Sequence, residues 1–313
     1  MSQKIVQDIE RLKKEKNAII LGHYYQTADI QDISDFLGDS LALAQAAEKT
    51  DADIIVFAGV HFMAETAKIL SPEKKVIIPD REAGCSLAES CPPGDFRKFI
   101  NQYPDHTVIS YVNTTAEIKT MTDICCTSTN ALPIVNSLPN DEKIIFAPDQ
   151  NLGNYIQRVS GRDMVIWPGA CHVHEEFSVE KIIELKNQYP EAKVIAHPEC
   201  EKPVLLMADH VGSTSSLLKF SKSDDSQSYI VATESGILHQ MKKANPGKKF
   251  IVAPPKDSTC GCNDCSYMKL ITLEKIRNSM ENEQPLVELD DGTIKKAKRP
   301  IERMLDISKQ LGL

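Results

Sequence analysis

The feature that most constrains the fold is a strand pattern that recurs three times, each time followed by cysteine. Short apolar runs alternate with helical patterns, which is typical of βαβ units and a parallel sheet. The predicted strands, three per repeat, are 17–22, 53–59 and 75–79, then 108–112, 143–148 and 164–168, then 193–196, 229–233 and 250–254. The cysteines that follow are Cys85, then Cys171, then the group Cys260, Cys262 and Cys265. One α/β unit used three times is therefore predicted.

The first strand of each repeat ends in polar side chains. They are His23 and Tyr25, Tyr111 and Asn113, and His197 and Glu199. Ligands of open parallel α/β sheets bind beyond the carboxyl ends of the strands, so these residues are expected to face a functional crevice. Three units that face one another would bring those ends together, along with one thiolate from each unit.

Nine cysteines are many for a chain of 313 residues whose charged N-terminus lacks the apolar stretch of a signal peptide. A reducing, cytoplasmic location is expected, and disulfides are rare there. Three converging thiolates are instead a natural seat for an iron-sulfur cluster with one iron that has no protein ligand. Such an iron can bind substrate and act as a Lewis acid.

Each repeat also has a hydroxyl-rich segment that predicts a helix start, at 38–40, 127–130 and 212–214. Free backbone N–H groups and the helix dipole bind phosphate or carboxylate at such places, although ordinary N-capping explains any one segment taken alone. Three segments at matching places favour an anionic substrate. A net charge of -8 argues against a nucleic-acid groove. No apolar run approaches the roughly 18 residues of a membrane span, so no membrane partner is expected.

Several segments resemble the quinolinate synthase family. They include AGCSLAESCP, WPGACHVHE, AHPEC, ADHVGSTSSLLKF and CNDCSYMKLITLEKI, in the family's order. The resemblance implies an α/β fold of three pseudo-symmetric three-layer α/β/α domains, with short parallel sheets around a central [4Fe-4S] cluster. It implies a first domain at 1–84 plus 266–313, a second at 85–170 and a third at 171–265.

The same resemblance implies an enzyme of NAD biosynthesis. It would condense iminoaspartate with dihydroxyacetone phosphate and eliminate phosphate and two waters to give quinolinate. The cluster ligands would be Cys85, Cys171 and Cys265. Because Cys260, Cys262 and Cys265 form a C-x-C-x2-C run where some members have C-x2-C-x2-C, the third ligand stays open, and Cys260 and Cys262 are expected to be dispensable. Any transient contact with the enzyme that supplies iminoaspartate also stays open.

The family's motifs further imply which residues act on the substrates. Tyr25 and Glu199 are assigned to proton transfer, because ring closure needs enolisation, tautomerisation and dehydration. His23, Tyr111 and His197 complete the predicted catalytic set. The residues predicted to bind substrate are His23, Ser40, Tyr111, Asn113, Ser128, His197, Glu199, Ser213 and Thr214.

Two other functions fit parts of the pattern. A zinc hydrolase would use His172, His174 and His197 as ligands and Glu199 as base, whereas the favoured interpretation of His172 and His174 is support of the neighbouring Cys171. An electron-transfer or scaffold protein would use the local Cys260, Cys262 and Cys265 group, although that spacing does not match bacterial ferredoxins. Structural packing is predicted for the remaining cysteines, which are Cys91, Cys125, Cys126 and Cys200.

Overall fold

The structure is a computed structural model that describes residues 2–257 and 264–313. It is an α/β fold with three four-stranded parallel sheets. Cys260 and Cys262 lie outside the described residues, so their expected dispensability stays a prediction.

The first unit builds its sheet from residues 18–77. Its strands are β1 (Ala18–His23), β2 (Phe36–Gly38), β3 (Ile54–Ala58) and β4 (Lys75–Ile77). Its helices are α1 (Ser2–Glu15), α2 (Ala28–Ile33), α3 (Ser40–Lys49) and α4 (His61–Leu70). Ile20 and Leu21 of β1 are fully buried on opposite faces of the strand, as expected where helices cover both faces of a parallel sheet.

The second unit builds its sheet from residues 107–166. Its strands are β5 (Thr107–Tyr111), β6 (Ile124–Cys126), β7 (Ile144–Ala147) and β8 (Met164–Ile166). Its helices are α5 (Ser86–Glu89), α6 (Pro93–Ile100), α7 (Ala116–Lys119), α8 (Ala131–Ser137) and α9 (Gln150–Ser160).

The third unit builds its sheet from residues 193–252. Its strands are β9 (Lys193–Ala196), β10 (His210–Val211), β11 (Ser228–Ala232) and β12 (Lys249–Val252). Its helices are α10 (His172–Glu175), α11 (Val179–Gln188), α12 (Lys202–Met207), α13 (Thr214–Ser223) and α14 (Ile237–Ala244).

All three sheets share one strand order, namely β2-β1-β3-β4, β6-β5-β7-β8 and β10-β9-β11-β12. The predicted α/β architecture with three short parallel sheets is confirmed. The nine predicted strands are the first, third and fourth strands of each unit in chain order. The apolar pattern does not reveal the edge strands β2, β6 and β10. They have only two or three residues each and are flanked by polar residues or glycine, whereas the equally short β4 and β8 lie in longer apolar runs.

The C-terminal segment returns from the third unit to the first two. It contains a 3-10 turn (Met268–Leu270), α15 (Leu273–Asn282) and α16 (Asp291–Gln310). Helix α15 packs against α1 and β3 of the first unit, whereas α16 packs against α4 of the first unit and α7, β6 and α8 of the second. The division into 1–84 plus 266–313, 85–170 and 171–265 stays a prediction.

The largest apolar core joins the first two units with α15 and α16, and the third unit has cores of its own on the two faces of its sheet. Strands and the inward faces of the helices both contribute fully buried side chains, because each sheet is covered by helices. Within the described ranges, no helix combines the length and the apolar character needed to cross a membrane.

Candidate active site

A cavity lies among loops that follow strands of all three sheets. All predicted site residues except Ser213 line this cavity. Those that line it are His23, Tyr25, Ser40, Cys85, Tyr111, Asn113, Ser128, Cys171, His197, Glu199, Thr214 and Cys265. Because strands of a parallel sheet end at the same edge, the repeated topology brings residues distant in sequence into one place.

In the first unit, His23 ends β1 and is buried. Its Nδ1 accepts a hydrogen bond from the backbone N–H of Tyr25 at 3.2 Å, and the two rings meet edge to face with centroids 4.5 Å apart. Burial lowers the pKa of His23 to about 4. The ring is therefore neutral near pH 7, and since Nδ1 is an acceptor, Nε2 carries the proton and can donate.

The third unit repeats this arrangement with His197 and Glu199. Nδ1 of His197 accepts from the backbone N–H of Glu199 at 3.4 Å, and burial lowers the pKa of His197 to about 3. Its Nε2 lies 3.2 Å from Oγ of Ser128 in the second unit. The neutral ring therefore donates to Ser128 and links the two units across the cavity.

The carboxylate of Glu199 is buried and accepts from two neighbours. The hydroxyl of Tyr111 donates to Oε1 at 2.6 Å, and Nδ1 of His174 lies 3.2 Å from Oε2. Burial opposes ionisation of Glu199, but the imidazoles beside it, His174 foremost, and the Tyr111 hydroxyl hold its pKa at about 2. Glu199 is therefore an ionised carboxylate at neutral pH.

The two tyrosines of the site keep their hydroxyl protons. Burial, followed by the negative charge of Glu199, raises the pKa of both Tyr25 and Tyr111 well above the usual range. The Tyr25 hydroxyl lies 2.9 Å from Oγ1 of Thr214 and equally close to Oγ1 of Thr233. Both phenols are thus proton donors, whereas Glu199 is a proton acceptor.

A chain of hydrogen bonds connects Tyr25 with Glu199 through two residues that the sequence did not assign to catalysis. Oγ1 of Thr233, which contacts the Tyr25 hydroxyl, also lies 3.0 Å from Nε2 of His174. The other nitrogen of that ring faces the Glu199 carboxylate. The two predicted proton-transfer residues are therefore oriented by one shared network.

The three predicted cluster cysteines line the cavity and follow the last strand of each sheet. Cys85 and Cys171 are the N-cap residues of α5 and α10, and Cys265 lies shortly before the 3-10 turn. Burial raises the pKa of Cys85 to about 12 and of Cys265 to about 11, and burial together with Glu199 and the other two thiolates raises that of Cys171 well above the usual range. Three thiolates here need a compensating positive charge.

The spacing of the cysteines matters for what they could bind. Among the described residues, possible metal-ligand atoms converge within 4.8 Å of one another at Cys171, His174 and Glu199. The sulfurs of Cys85 and Cys265 lie outside that group. Sulfur ligands of one tetrahedral zinc would be roughly 4 Å apart, given bonds of about 2.3 Å. The three sulfurs therefore do not form a set that a single zinc ion could bind as they stand.

The two histidines beside Cys171 have different surroundings. Nδ1 of His174 lies 3.3 Å from the Cys171 sulfur, as the interpretation of a supporting residue requires. His172 does not line the cavity, and its Nδ1 lies 2.7 Å from Oγ of Ser86, next to Cys85. The zinc site imagined from His172, His174 and His197 is thus not assembled.

The hydroxyl-rich helix starts meet beside the cavity, where Ser40, Ser128 and Thr214 line it. Ser213 instead caps α13 by accepting from the backbone N–H of Ser216, and its Oγ lies 2.8 Å from Oγ1 of Thr129. Its contact with Thr129 thus joins the third unit to the second.

Asp39 completes this junction from the first unit. It caps α3, and its Oδ2 accepts from the hydroxyls of Thr129 at 3.0 Å and Ser215 at 2.6 Å. One carboxylate therefore binds hydroxyls of both other units.

The chain matches the protein family described as Quinolinate synthetase A protein over residues 7–306. It belongs to this family. A quinolinate synthase of Synechocystis sp. is 58% identical over 304 residues, which cover 97% of this chain and 95% of the relative. One of Chloroherpeton thalassium is 56% identical over 305 residues, with 97% and 95% covered. One of Cyanophora paradoxa is 56% identical over 306 residues, with 98% and 93% covered. The predicted resemblance is confirmed, and the chain is an enzyme of this type.

In this member of the family, an ion pair between a buried glutamate and a half-buried lysine also borders the site. Glu234 is fully buried and accepts from Nζ of Lys269 at 2.7 Å and from the backbone N–H of Cys265 at 3.2 Å. Lys269 also donates to the backbone oxygen of Tyr25 at 2.6 Å. The pair ties the Cys265 segment to Tyr25. The signal that could have found Glu234 is an acidic residue just after the buried strand β11 and Thr233.

The other described cysteines are fully buried, and none lines the cavity; they are Cys91, Cys125, Cys126 and Cys200. Their packing in the core of this quinolinate synthetase A family member agrees with the structural role predicted for them.

Proposed function

We propose that this chain catalyses the condensation of iminoaspartate with dihydroxyacetone phosphate to quinolinate, phosphate and two waters in NAD biosynthesis. The observation that carries the proposal is the cavity in which three cysteines, an ionised carboxylate and two protonated phenols from three units meet. The relatives named quinolinate synthase support it.

We assign a [4Fe-4S] cluster to Cys85, Cys171 and Cys265. The donors fit it because all three are soft thiolates, one from each unit, and they do not form a group compact enough for one ion. Their raised pKa values mean that a cationic partner must accompany ionisation. A cluster with three cysteine ligands supplies an iron that can act as a Lewis acid on a substrate oxygen or nitrogen.

Glu199 is the base in this proposal, and Tyr25 and Tyr111 are the acids. Carbon–carbon bond formation and dehydration require a proton to be taken from carbon and protons to be given to departing oxygens. An ionised Glu199 can take the first, and the phenols of Tyr25 and Tyr111, whose raised pKa values keep them protonated, can give the others. His23 and His197, neutral with Nε2–H, act as donors to substrate oxygens.

The remaining predicted residues bind the substrates' negative groups. Ser40 and Thr214 begin α3 and α13, where free backbone N–H groups favour an anion, and Ser128 and Asn113 add donors from the second unit. Ser213 contributes through its cap of α13. We also propose three domains, 1–84 plus 266–313, 85–170 and 171–265, which the shared strand order supports.

Anaerobic reconstitution with iron and sulfide, followed by assay of quinolinate, tests the proposal. Iron and labile sulfide in [4Fe-4S] proportion per chain, with quinolinate formed from both substrates, is the expected result. Zinc bound in place of iron, or a loaded cluster that forms no quinolinate, would contradict it.

A further inference from the structure

Lys119, the last residue of α7, is a fully buried lysine outside the predicted site. Its ammonium donates to the backbone oxygens of Val112, at 2.9 Å, and Thr114. Those two oxygens flank Asn113, whose side chain lines the cavity. A buried ammonium is costly unless it is hydrogen-bonded, so this lysine holds the loop firmly.

Other groups around the ammonium fix its place. The carboxylate of Glu65 accepts from the backbone N–H of Ala116 at 2.9 Å and so holds the first turn of α7. The ring of Phe62, which also lines the cavity, lies with its centroid 5.6 Å from Nζ of Lys119. Burial lowers the pKa of Lys119, while the nearby carboxylate of Glu65 opposes that shift.

Asn113 needs such support because its carboxamide oxygen is not held by a hydrogen bond from the part of the chain that the structure describes. Its Oδ1 is buried and, among the described residues, has no hydrogen-bond partner. In the other two units a histidine Nδ1 accepts the backbone N–H of the corresponding residue, Tyr25 or Glu199. The second unit has Tyr111 in place of that histidine, and its hydroxyl donates to Glu199 instead.

We propose that Lys119 is a positioning residue: by donating to the two backbone oxygens that flank Asn113, it holds this loop where the histidine is missing and sets Asn113 in place to bind substrate. The inference rests on the proposed function, in which Asn113 contacts a substrate. The ammonium of Lys119 would then affect substrate binding through Asn113, without contacting the substrate itself.

A matched lysine separates this role from simple loop stabilisation. Lys186 in α11 also donates to two backbone oxygens, those of Pro190 at 2.9 Å and Ala192 at 2.8 Å, but it does not line the cavity. Lys186→Met therefore removes the same kind of contact away from the site.

The test measures KM and kcat with dihydroxyacetone phosphate as the varied substrate, its Kd by calorimetry, and iron content. The proteins are the parent, Lys119→Met, Asn113→Ala, the double variant and Lys186→Met, each carrying its cluster. Lys119→Met should raise KM and Kd about tenfold, the order of one lost hydrogen bond, with little change in kcat and iron. In the Asn113→Ala background it should raise neither further.

If Lys119→Met raised KM and Kd by the same factor in the parent and in Asn113→Ala, the proposal would be overturned. The same holds if the Lys119→Met enzyme differs from Lys186→Met only in melting temperature. If Lys119→Met does not fold, Lys119→Gln, which can still donate to one oxygen, is measured in both backgrounds. Failure of both variants to fold would mark Lys119 as structural and overturn the proposal. A cluster-loaded parent that neither binds dihydroxyacetone phosphate nor forms quinolinate would instead count against the proposed function itself.

Discussion

The first and third units hold their reactive residues in one way, and the second unit holds its own in another. In the first and third units, a buried histidine accepts the backbone N–H of the residue two positions on. In the second unit Tyr111 stands at that place, and Lys119 holds the loop through two of its backbone oxygens. The strand order is the same in all three. Shared topology therefore sets where a loop emerges, and the residue types in the loop set how it is fixed.

What the three units share is a cysteine after the last strand, and its removal should have the largest effect. Cys171→Ala is expected to abolish cluster binding, because the two remaining thiolates come from different units and cannot hold the cluster alone. Cys85→Ala and Cys265→Ala should do the same. Iron and labile sulfide after anaerobic reconstitution provide the measurement.

Cys91→Ala and Cys200→Ala are the controls, since both residues are buried but lie outside the cavity. Full iron content in Cys171→Ala would end the idea of one ligand per unit. Loss of iron in Cys262→Ala but not in Cys265→Ala would move the third ligand and leave the threefold arrangement intact.

The next largest effect should come from the residues that the two histidines hold. Glu199→Gln and Tyr25→Phe keep the volume of each side chain but remove its acid or base group, so turnover should fall by about 10² to 10⁴ while the cluster remains. Single-turnover rates and iron content check this. Tyr103→Phe, outside the cavity, is the control. Glu199→Gln with the parental rate would assign the base role to another group.

Much of this comparison could be predicted from sequence. The apolar runs before His23, Tyr111 and His197 are the first strands of the three sheets, and the rule that parallel strands end at one edge places those residues together. The cysteines could be predicted for the same reason, because each follows a third strand in the pattern.

The contacts between units could not be predicted in this way. Thr233 and His174 join Tyr25 to Glu199 through side chains far apart in sequence, and periodicity carries no information about such contacts. Ser213 illustrates the same limit, because its hydroxyl-rich segment predicts a helix start but not that the hydroxyl contacts Thr129. Lys119 looks like an ordinary helix-end lysine until the neighbouring carbonyls are known.

A third effect concerns how the stability of the protein depends on pH through the buried His23. In the folded protein His23 has a pKa of about 4, against 6.5 when unperturbed, so between these pH values the unfolded chain binds more protons. The free energy of unfolding should therefore fall as pH drops from about 6.5 to about 4, by up to roughly 3 kcal/mol for this ring. Urea unfolding at pH 7, 5.5 and 4.5 measures this change in the free energy of unfolding.

His23→Asn sharpens that test. Its Oδ1 can still accept the Tyr25 N–H but does not titrate, so the variant should lose less stability than the parent over the same pH range. Parallel curves for the two proteins would show that His23 does not contribute to the acid sensitivity.

The smallest effect should separate two adjacent residues at the start of α13. Ser213 caps the helix and contacts Thr129, whereas Thr214 lines the cavity and contacts the Tyr25 hydroxyl. Ser213→Ala should lower the free energy of unfolding by about 1 kcal/mol, the usual value of an N-cap, and change substrate affinity little. Thr214→Ala should have the opposite effects: weaker binding of dihydroxyacetone phosphate, with a free energy of unfolding close to that of the parent. Urea unfolding and calorimetry on both variants distinguish the roles.

If Ser213→Ala weakens binding as much as Thr214→Ala at unchanged stability, the serine contacts the substrate directly, and the helix start of the third unit binds the substrate with both hydroxyls.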